Sequence, residues 1–273
     1  MMRIGFIGTG TITEAVVKGL CTLDNPPDQV IVSPRNADRA ARLCEMFNAV
    51  TVAPDNQSVV EASDMVCIAV RPDIAVQVLE ELTFRKDQQV VSFLATIPIV
   101  QMRELVPPVS RIFRMVPLPP VANHLGPVAL CPPDETIAQV FGGIGTITQV
   151  DTEAQLHALW TVTSMMGPYF GHLNQISHWL VDRGIDPHLV ERYVGSMFHA
   201  IAVTGKQVGE GGFEELVVQH STPNGLNEQA LRELGNAGWC DATASVLDLI
   251  EARLDGKADF ESRISSRLDL DIK

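Results

Sequence analysis

Short apolar segments alternate with amphipathic ones from residue 3 to about residue 150 of this 273-residue chain. Segments such as MVCIAV and VVSFL are apolar at every position, which is typical of parallel strands covered by helices on both faces. Between the first apolar segment, at 3–7, and the second, at 29–33, Ile12, Val16 and Leu20 fall on one face of a helix. This alternation predicts a doubly wound parallel sheet of the Rossmann type, an α/β fold. The predicted strands are 3–7, 29–33, 49–53, 65–70, 89–94, 111–115, 127–130 and 146–150.

The second half of the chain has a different pattern. After Asp151 strand signals nearly vanish, and helical patterns cover 152–165, 168–183, 187–209 and 237–255. We therefore predict a Rossmann domain at 1–151 and an all-α domain for substrate and dimerisation at 152–273. The long apolar helices would leave much hydrophobic surface on a monomer, so a homodimer or higher homo-oligomer is expected. Packing of these helices on one another within one chain is the alternative.

Composition excludes several classes of protein. The net charge is −13, with 33 acidic and 20 basic residues, which argues against a nucleic-acid-binding face. No apolar run approaches the roughly 18 residues that cross a bilayer, and the start lacks the pattern of a secretory signal. The five cysteines are dispersed without a CxxC pair, and the histidines show no metal-binding spacing. We expect a cytoplasmic protein with reduced thiols, without a metal, a nucleic-acid partner or a membrane partner.

A glycine-containing turn, GTGTIT, follows the first predicted strand and precedes an amphipathic helix. Gly8 stands where the fingerprint needs a tight turn, and Gly10 stands where the backbone must approach a pyrophosphate. Thr13 replaces the third glycine, which serves packing between helix and strand. Amide groups at the start of the helix would face the anion, aided by the helix dipole. The sequence predicts a dinucleotide site here, the alternative being a glycine turn without a ligand.

The end of the second strand, VIVSPRNADR, indicates which nicotinamide coenzyme is preferred. Enzymes that use NAD usually place a carboxylate there for the ribose hydroxyls, but the first carboxylate here is Asp38. Ser33 and Arg35 instead offer a hydroxyl and a guanidinium, which suit a 2′-phosphate. We predict NADPH over NADH, with a merely solvated Arg35 as the alternative.

Further segments carry a resemblance that extends along the whole chain. They are CIAVRP (67–72), VVSFLATI (90–97), RIFRMVPLPP (111–120), MGPYF (166–170) and HSTPNGL (220–226). With the opening GFIGTGTITEAVVKGL, they resemble, in the same order, motifs of the pyrroline-5-carboxylate reductase family. The resemblance implies an NADPH-dependent oxidoreductase that reduces a cyclic imine in proline biosynthesis, with a helical domain that interleaves with a partner's.

The resemblance also implies which residues contact the coenzyme. They lie in the glycine turn, at the ends of the following strands, and in PDNQSVVEASD, whose asparagine sits by the adenosine in the family. The implied coenzyme residues are Ile7, Gly8, Thr9, Gly10, Thr11, Ile12, Ser33, Arg35, Asn56, Ala69, Val70, Arg71, Pro72, Leu94, Ala95 and Thr96.

The substrate loop departs from the family pattern. Where the family has P-G-G-T-T, this chain reads PNGLN, so that Asn227 matches the threonine whose hydroxyl reaches the ring nitrogen. An amide can donate the same hydrogen bond. The resemblance implies Asn227 as the nitrogen partner and Ser164 in the pocket wall. The residues implied for the substrate carboxylate, through backbone amides, are Thr222, Pro223, Asn224 and Gly225.

Three other functions remain open to different degrees. A β-hydroxyacid dehydrogenase is disfavoured, because it needs a lysine early in the second domain and the lysines after residue 150 are Lys206, Lys257 and Lys273. A reductase of a different imine or of a small carbonyl compound is harder to exclude, since several predicted pocket residues are more apolar than in the family. These residues are Leu118, Met165, Met166 and Leu226. The third alternative is a non-catalytic NADPH-binding sensor.

Overall fold

The structure, a computed structural model, describes residues 2–263. The described part of the chain divides into two compact units, with the division between Trp160 and Thr161. The division falls within the helix Glu153–Val162, whereas the predicted boundary after Asp151 precedes that helix. The assignment of 1–151 and 152–273 as functional domains stays a prediction.

The first unit is built on one eight-stranded sheet with the strand order β3-β2-β1-β4-β5-β6-β7-β8. All eight predicted strands are present, which confirms the Rossmann-type fold class. Their bounds are β1 Arg3–Ile7, β2 Gln29–Val32, β3 Val50–Val52, β4 Met65–Ile68, β5 Gln89–Ser92, β6 Arg111–Val116, β7 Pro127–Cys131 and β8 Thr146–Gln149.

One strand of the sheet departs from the predicted parallel arrangement. β7 runs antiparallel to β6, with Met115 opposite Leu130. The connection between them holds only a 3-10 turn, Pro119–Asn123. A parallel return needs a crossover of about a dozen residues or more, usually a helix, so this short link brings the chain back in the opposite direction.

Helices cover both faces of the sheet. On β1, Phe6 belongs to the buried cluster that contains Val16 of the helix Thr11–Cys21, while Ile7 belongs to the cluster that contains Leu79 of the helix Pro72–Glu80. Successive side chains of a strand point to opposite faces, so the two clusters lie on the two sides. The helices are α1 Thr11–Cys21, α2 Ala37–Met46, α3 Asn56–Ala62, α4 Pro72–Glu80, α5 Ile99–Leu105, α6 Glu135–Phe141 and α7 Glu153–Val162, with a second 3-10 turn at Gly142–Ile144.

The second unit is helical in its described part, as predicted. Its elements are the 3-10 turn Thr163–Met165 and the helices α8 Met166–Val181, α9 Pro187–Lys206, α10 Gly212–His220, α11 Leu226–Asn236 and α12 Trp239–Leu254. Among its described hydrophobic side chains, Val190 and Val194 are buried, while aromatic ones such as Phe170, Tyr193 and Phe213 are exposed. Within residues 2–263, no helix has the length and apolar character needed to cross a membrane.

Candidate functional site

The turn between β1 and α1 has a backbone that requires glycine at one position and leaves open space at another. Gly8 has φ +98°, and a Cβ there would lie 2.6 Å from the carbonyl oxygen of Ala69 at the end of β4. Gly10, the N-cap of α1, has φ −88°, and a Cβ there would meet no protein atom within 4 Å. Gly8 is therefore fixed by the fold, whereas the space beside Gly10 allows a ligand to approach the backbone.

Three side-chain hydroxyls brace this turn. The Gly8 backbone N–H donates to Ser33 Oγ at 2.9 Å, and Thr9 Oγ1 donates to the Ser33 carbonyl at 2.6 Å. Thr13 Oγ1 donates to the Gly8 carbonyl at 2.6 Å, so the residue that replaces the third glycine adds a hydrogen bond to the turn. Ser33 has 0% exposure. A direct contact between Ser33 and a 2′-phosphate stays a prediction. The burial of the Ser33 side chain disfavours that contact.

A cleft of about 590 Å³ opens beside the turn, at the carboxyl edge of β1, β2 and β4. In an open α/β sheet, this edge is where ligands bind, at the point where the strand order reverses. The predicted coenzyme residues that line it are Gly8, Thr9, Gly10, Arg35, Ala69, Val70 and Arg71. The lining residues that the sequence analysis missed are Asn36, Ala37, Asp38 and Ile74. The first three form the start of α2, which the N-cap Asn36 directly after the second strand could have indicated.

The remaining predicted coenzyme residues do not line this cleft. Ile7 is buried in the core, and Asn56 is the half-buried first residue of α3. Leu94 is buried in the loop after β5, Ala95 is half-buried and Thr96 is exposed. The others, besides Ser33, are Thr11 and Ile12 at the start of α1 and Pro72 at the start of α4.

Two arginines border the cleft of this otherwise acidic chain. Arg35 is exposed directly before α2, and Arg71 caps α4 and pairs with Asp73 at 2.8 Å. That ion pair is largely exposed, and exposed pairs are weak, so an anionic ligand can compete for Arg71. The start of α1 adds the positive end of a helix dipole. The cleft can thus hold a phosphate-bearing ligand despite the net charge of −13.

A buried arginine that sequence reasoning missed lies on β6. Arg114 has 0% exposure, and its guanidinium bonds to Glu153 and to the backbone carbonyls of Leu94 and Ala95. The carbonyls belong to the loop after β5, which carries three of the predicted coenzyme residues. Arg114 is the second arginine of RIFRMV, so its motif was visible but its burial was not.

In the second unit, the predicted substrate loop connects α10 to α11. Its hydrogen bonds are internal: the Asn224 N–H donates to Glu228 Oε2 at 2.7 Å, and the Gly225 N–H donates to the Thr222 carbonyl at 2.8 Å. Asn227 Nδ2 donates to the His220 carbonyl at 2.9 Å. Glu228 was also missed, because its contact with the loop follows from helix geometry rather than from a motif.

Ser164, in the 3-10 turn before α8, has a buried Oγ without a hydrogen-bond partner among the described residues. A buried hydroxyl normally finds a partner, so this oxygen is suited to a ligand or to water. As for metals, residues 2–263 hold no group of three or more histidine, cysteine or carboxylate side chains able to bind an ion.

Comparisons with known proteins give consistent results. Residues 3–96 match the family model described as NADP oxidoreductase, coenzyme F420-dependent. The chain is 26% identical over 254 residues to a pyrroline-5-carboxylate reductase of Corynebacterium melassecola, covering 87% of this chain and 92% of that protein.

Two solved structures share the fold along nearly the whole chain. A pyrroline-5-carboxylate reductase from Coxiella burnetii has a TM-score of 0.81 at 21% identity, covering 94% of this chain and 99% of the other. The pyrroline carboxylate reductase of Plasmodium falciparum, solved with NADP bound, has a TM-score of 0.79 at 15% identity, covering 94% and 98%.

Proposed function

We propose that this chain is a member of the pyrroline-5-carboxylate reductase family and that it reduces the C=N bond of a cyclic imine with NADPH. The substrate we propose is pyrroline-5-carboxylate, and the product is proline. The observation that carries the proposal is the sequence match to a known reductase along 87% of the chain, a stretch longer than either unit alone.

The cleft of the first unit fits a nicotinamide dinucleotide. A methyl group at Gly8 would strike the Ala69 carbonyl, whereas the space beside Gly10 is open to a pyrophosphate. When bound, the coenzyme supplies a hydride to the imine carbon. Arg35 supports NADPH rather than NADH, because a guanidinium recognises a 2′-phosphate by its charge and paired donors.

The rest of the chemistry asks the protein mainly to hold the substrate. A protonated C=N already carries the positive charge that attracts a hydride, so the site must orient the ring and offer a donor near nitrogen. We assign the donor to Asn227, whose amide gives one hydrogen to His220 and keeps the second for a ligand. Ser164 Oγ would line the pocket. Residues Thr222, Pro223, Asn224 and Gly225 would hold the carboxylate through backbone amides.

Assembly and location are part of the same proposal. The second unit exposes Phe170, Trp179, Tyr193 and Phe213, whose relative exposures are 53–68%. Exposed apolar area of this kind marks an association surface, and we propose that two chains pair through it as a homodimer. Light scattering on the purified protein tests the dimer, and cell fractionation tests a cytoplasmic location.

The function is tested by following NADPH consumption after pyrroline-5-carboxylate is added to the purified protein. We expect proline to form in an amount equal to the NADPH consumed, with a slower reaction when NADH replaces NADPH. Tight NADPH binding without turnover on a panel of cyclic imines and ketones would instead identify a non-catalytic binding protein.

A second candidate function is the reduction of an imine without a carboxylate. The carboxylate of Glu228 occupies the Asn224 N–H, one of the amides proposed for the substrate carboxylate. It therefore competes with a carboxylated substrate and repels it. Leu226, next to this loop, is 85% exposed and adds apolar surface. A higher kcat/KM for 1-pyrroline than for pyrroline-5-carboxylate would favour this candidate.

A further inference from the structure

Arg114 is a fully buried charge that the proposed chemistry does not use. It lies on β6 with 0% exposure, two strands from the β4 that borders the glycine-turn cleft. A buried guanidinium is costly unless it is paired and hydrogen-bonded, so its partners indicate what the fold gains from it.

The partners of Arg114 belong to two segments of the first unit. Nη1 donates to Glu153 Oε1 at 2.7 Å, and Nη2 donates to the carbonyls of Leu94 at 3.1 Å and Ala95 at 2.6 Å. Nη1 also lies 3.1 Å from His157 Nε2. Since a guanidinium only donates, His157 Nε2 is the acceptor in this contact.

Glu153 fastens the other end of the same loop. Its Oε1 also accepts the Ile99 N–H at 3.0 Å, where α5 begins. The loop between β5 and α5 covers residues 93–98, so Arg114 holds two carbonyls near its start and Glu153 holds the amide that follows it. Leu156, one turn further along α7, is buried against β6 and β7 and fixes the helix that carries Glu153.

The strand order shows which part of a dinucleotide this loop faces. The glycine turn follows β1, and Arg35 follows β2 on one side of it. A coenzyme with its pyrophosphate at the turn and its 2′-phosphate at Arg35 must extend its other half the opposite way, past β4 toward β5. The loop at 93–98 is therefore placed for the nicotinamide half, about 10 Å from β1 at the usual strand spacing.

We propose that Arg114, together with Glu153, is a positioning residue that shapes the β5–α5 loop to receive the nicotinamide half of the coenzyme. The inference rests on the proposed function, because it assumes the same dinucleotide in the same cleft. The two arginines then have different roles. Arg35 determines the affinity for the adenosine half of the coenzyme, and Arg114 determines the affinity for the nicotinamide half without touching the ligand.

Ligand fragments separate this role from a purely structural one. We would measure the Kd of NADPH and of 2′,5′-ADP, which lacks the nicotinamide half, for wild type, Arg114→Lys and Glu153→Gln. Arg114→Lys keeps the charge but loses the forked donors that reach both carbonyls and Glu153. We expect its NADPH Kd to rise about tenfold, the equivalent of about 1.4 kcal/mol, while the 2′,5′-ADP Kd changes less than about twofold.

Arg111→Lys is the matched control, since Arg111 lies on the same strand and pairs with Asp134 at 2.8 Å. It should leave both Kd values unchanged. If Arg114→Lys does not fold, Glu153→Gln replaces it in the test. The NADPH Kd of Glu153→Gln should rise by less than the value expected for Arg114→Lys, and its 2′,5′-ADP Kd should not change. Amide hydrogen exchange at residues 93–97 of the free protein should become faster in Arg114→Lys and Glu153→Gln, and it should not change in Arg111→Lys.

Two results would overturn the inference. One is an equal weakening of NADPH and 2′,5′-ADP, which would mean a general loosening of the first unit. The other is an unchanged NADPH Kd in folded Arg114→Lys. A wild-type protein that binds NADPH but reduces no imine refutes the proposed function alone, because the ratio of the two Kd values still decides the role of Arg114.

Discussion

Adding a methyl group at Gly10 separates nucleotide binding from folding. In the free protein a Cβ at this position meets no atom within 4 Å, and φ of −88° suits any residue. The cost to the fold is the loss of glycine at a helix N-cap, about 1 kcal/mol at most, or a Tm decrease of roughly 2–4 °C. The same methyl group occupies the space through which the backbone approaches a pyrophosphate.

The expected loss of affinity follows from the hydrogen bonds that the methyl group blocks. Losing one bond from a backbone N–H to a charged oxygen costs about 1.5–3 kcal/mol, which raises the NADPH Kd about ten- to a hundredfold. Titration calorimetry with NADPH and thermal unfolding of the free protein measure the two effects separately.

Gly8→Ala is the contrasting variant. Its Cβ would lie 2.6 Å from the Ala69 carbonyl at φ +98°, so the free protein itself is strained, by about 1–3 kcal/mol for the backbone alone. We expect Gly8→Ala to lower both Tm and affinity, and Gly10→Ala to lower affinity with little change in Tm. A Gly10→Ala protein that binds NADPH as tightly as wild type would refute the assignment of the diphosphate to this turn.

Three further changes test other parts of the account. Arg35→Ala should raise the Kd of NADPH about tenfold or more, as for the loss of one charge-assisted contact, and leave the Kd of NADH within about twofold. Equal increases in the two Kd values would contradict the preference for NADPH. Glu228→Gln should lower the KM for pyrroline-5-carboxylate and leave that for 1-pyrroline unchanged, because only the first substrate competes with the Glu228 carboxylate for the Asn224 N–H. The hydrogen bond from Arg3 lowers the pKa of Asp64, so this pair stabilises the fold above the usual aspartate pKa near 4 and the contribution disappears as the pH falls through the lowered value. The unfolding free energies of wild type and Asp64→Asn should therefore converge at low pH. Their difference at neutral pH should be small, because the Arg3 and Asp64 side chains are 40–43% exposed. A difference that does not change with pH would contradict the reasoning.

The sequence was sufficient for the sheet and for the glycine turn because both are encoded locally. Wholly apolar runs indicate buried strands, and a glycine beside a strand end indicates a turn. Four helices were not predicted individually: α3 Asn56–Ala62, α5 Ile99–Leu105, α10 Gly212–His220 and α11 Leu226–Asn236. The first two each cover fewer than two turns, which is too short to show a helical period. The antiparallel direction of β7 was missed because strand patterns do not encode direction.

The site was harder to predict where its contacts join distant segments. Arg114 and Glu153 are 39 positions apart, and neither sequence position indicates that Arg114 is buried or that Glu153 contacts it. Ser33 shows the same limit: its position at a strand end was visible, but its burial against Gly8 was not. The departures in the substrate loop were readable, whereas the hydrogen bond from Asn224 to Glu228 became visible only with the helix in place.

The reduction itself is tested most directly by following the hydride. Pyrroline-5-carboxylate is incubated with the wild-type protein and NADPH deuterated at C4 of the nicotinamide ring, on the face that the enzyme uses, and the product is analysed by mass spectrometry. The account predicts proline that carries one deuterium at the carbon of the former C=N bond, formed in step with the oxidised coenzyme. Deuterated coenzyme that stays unconsumed, or is consumed without labelled proline from either face, would contradict it.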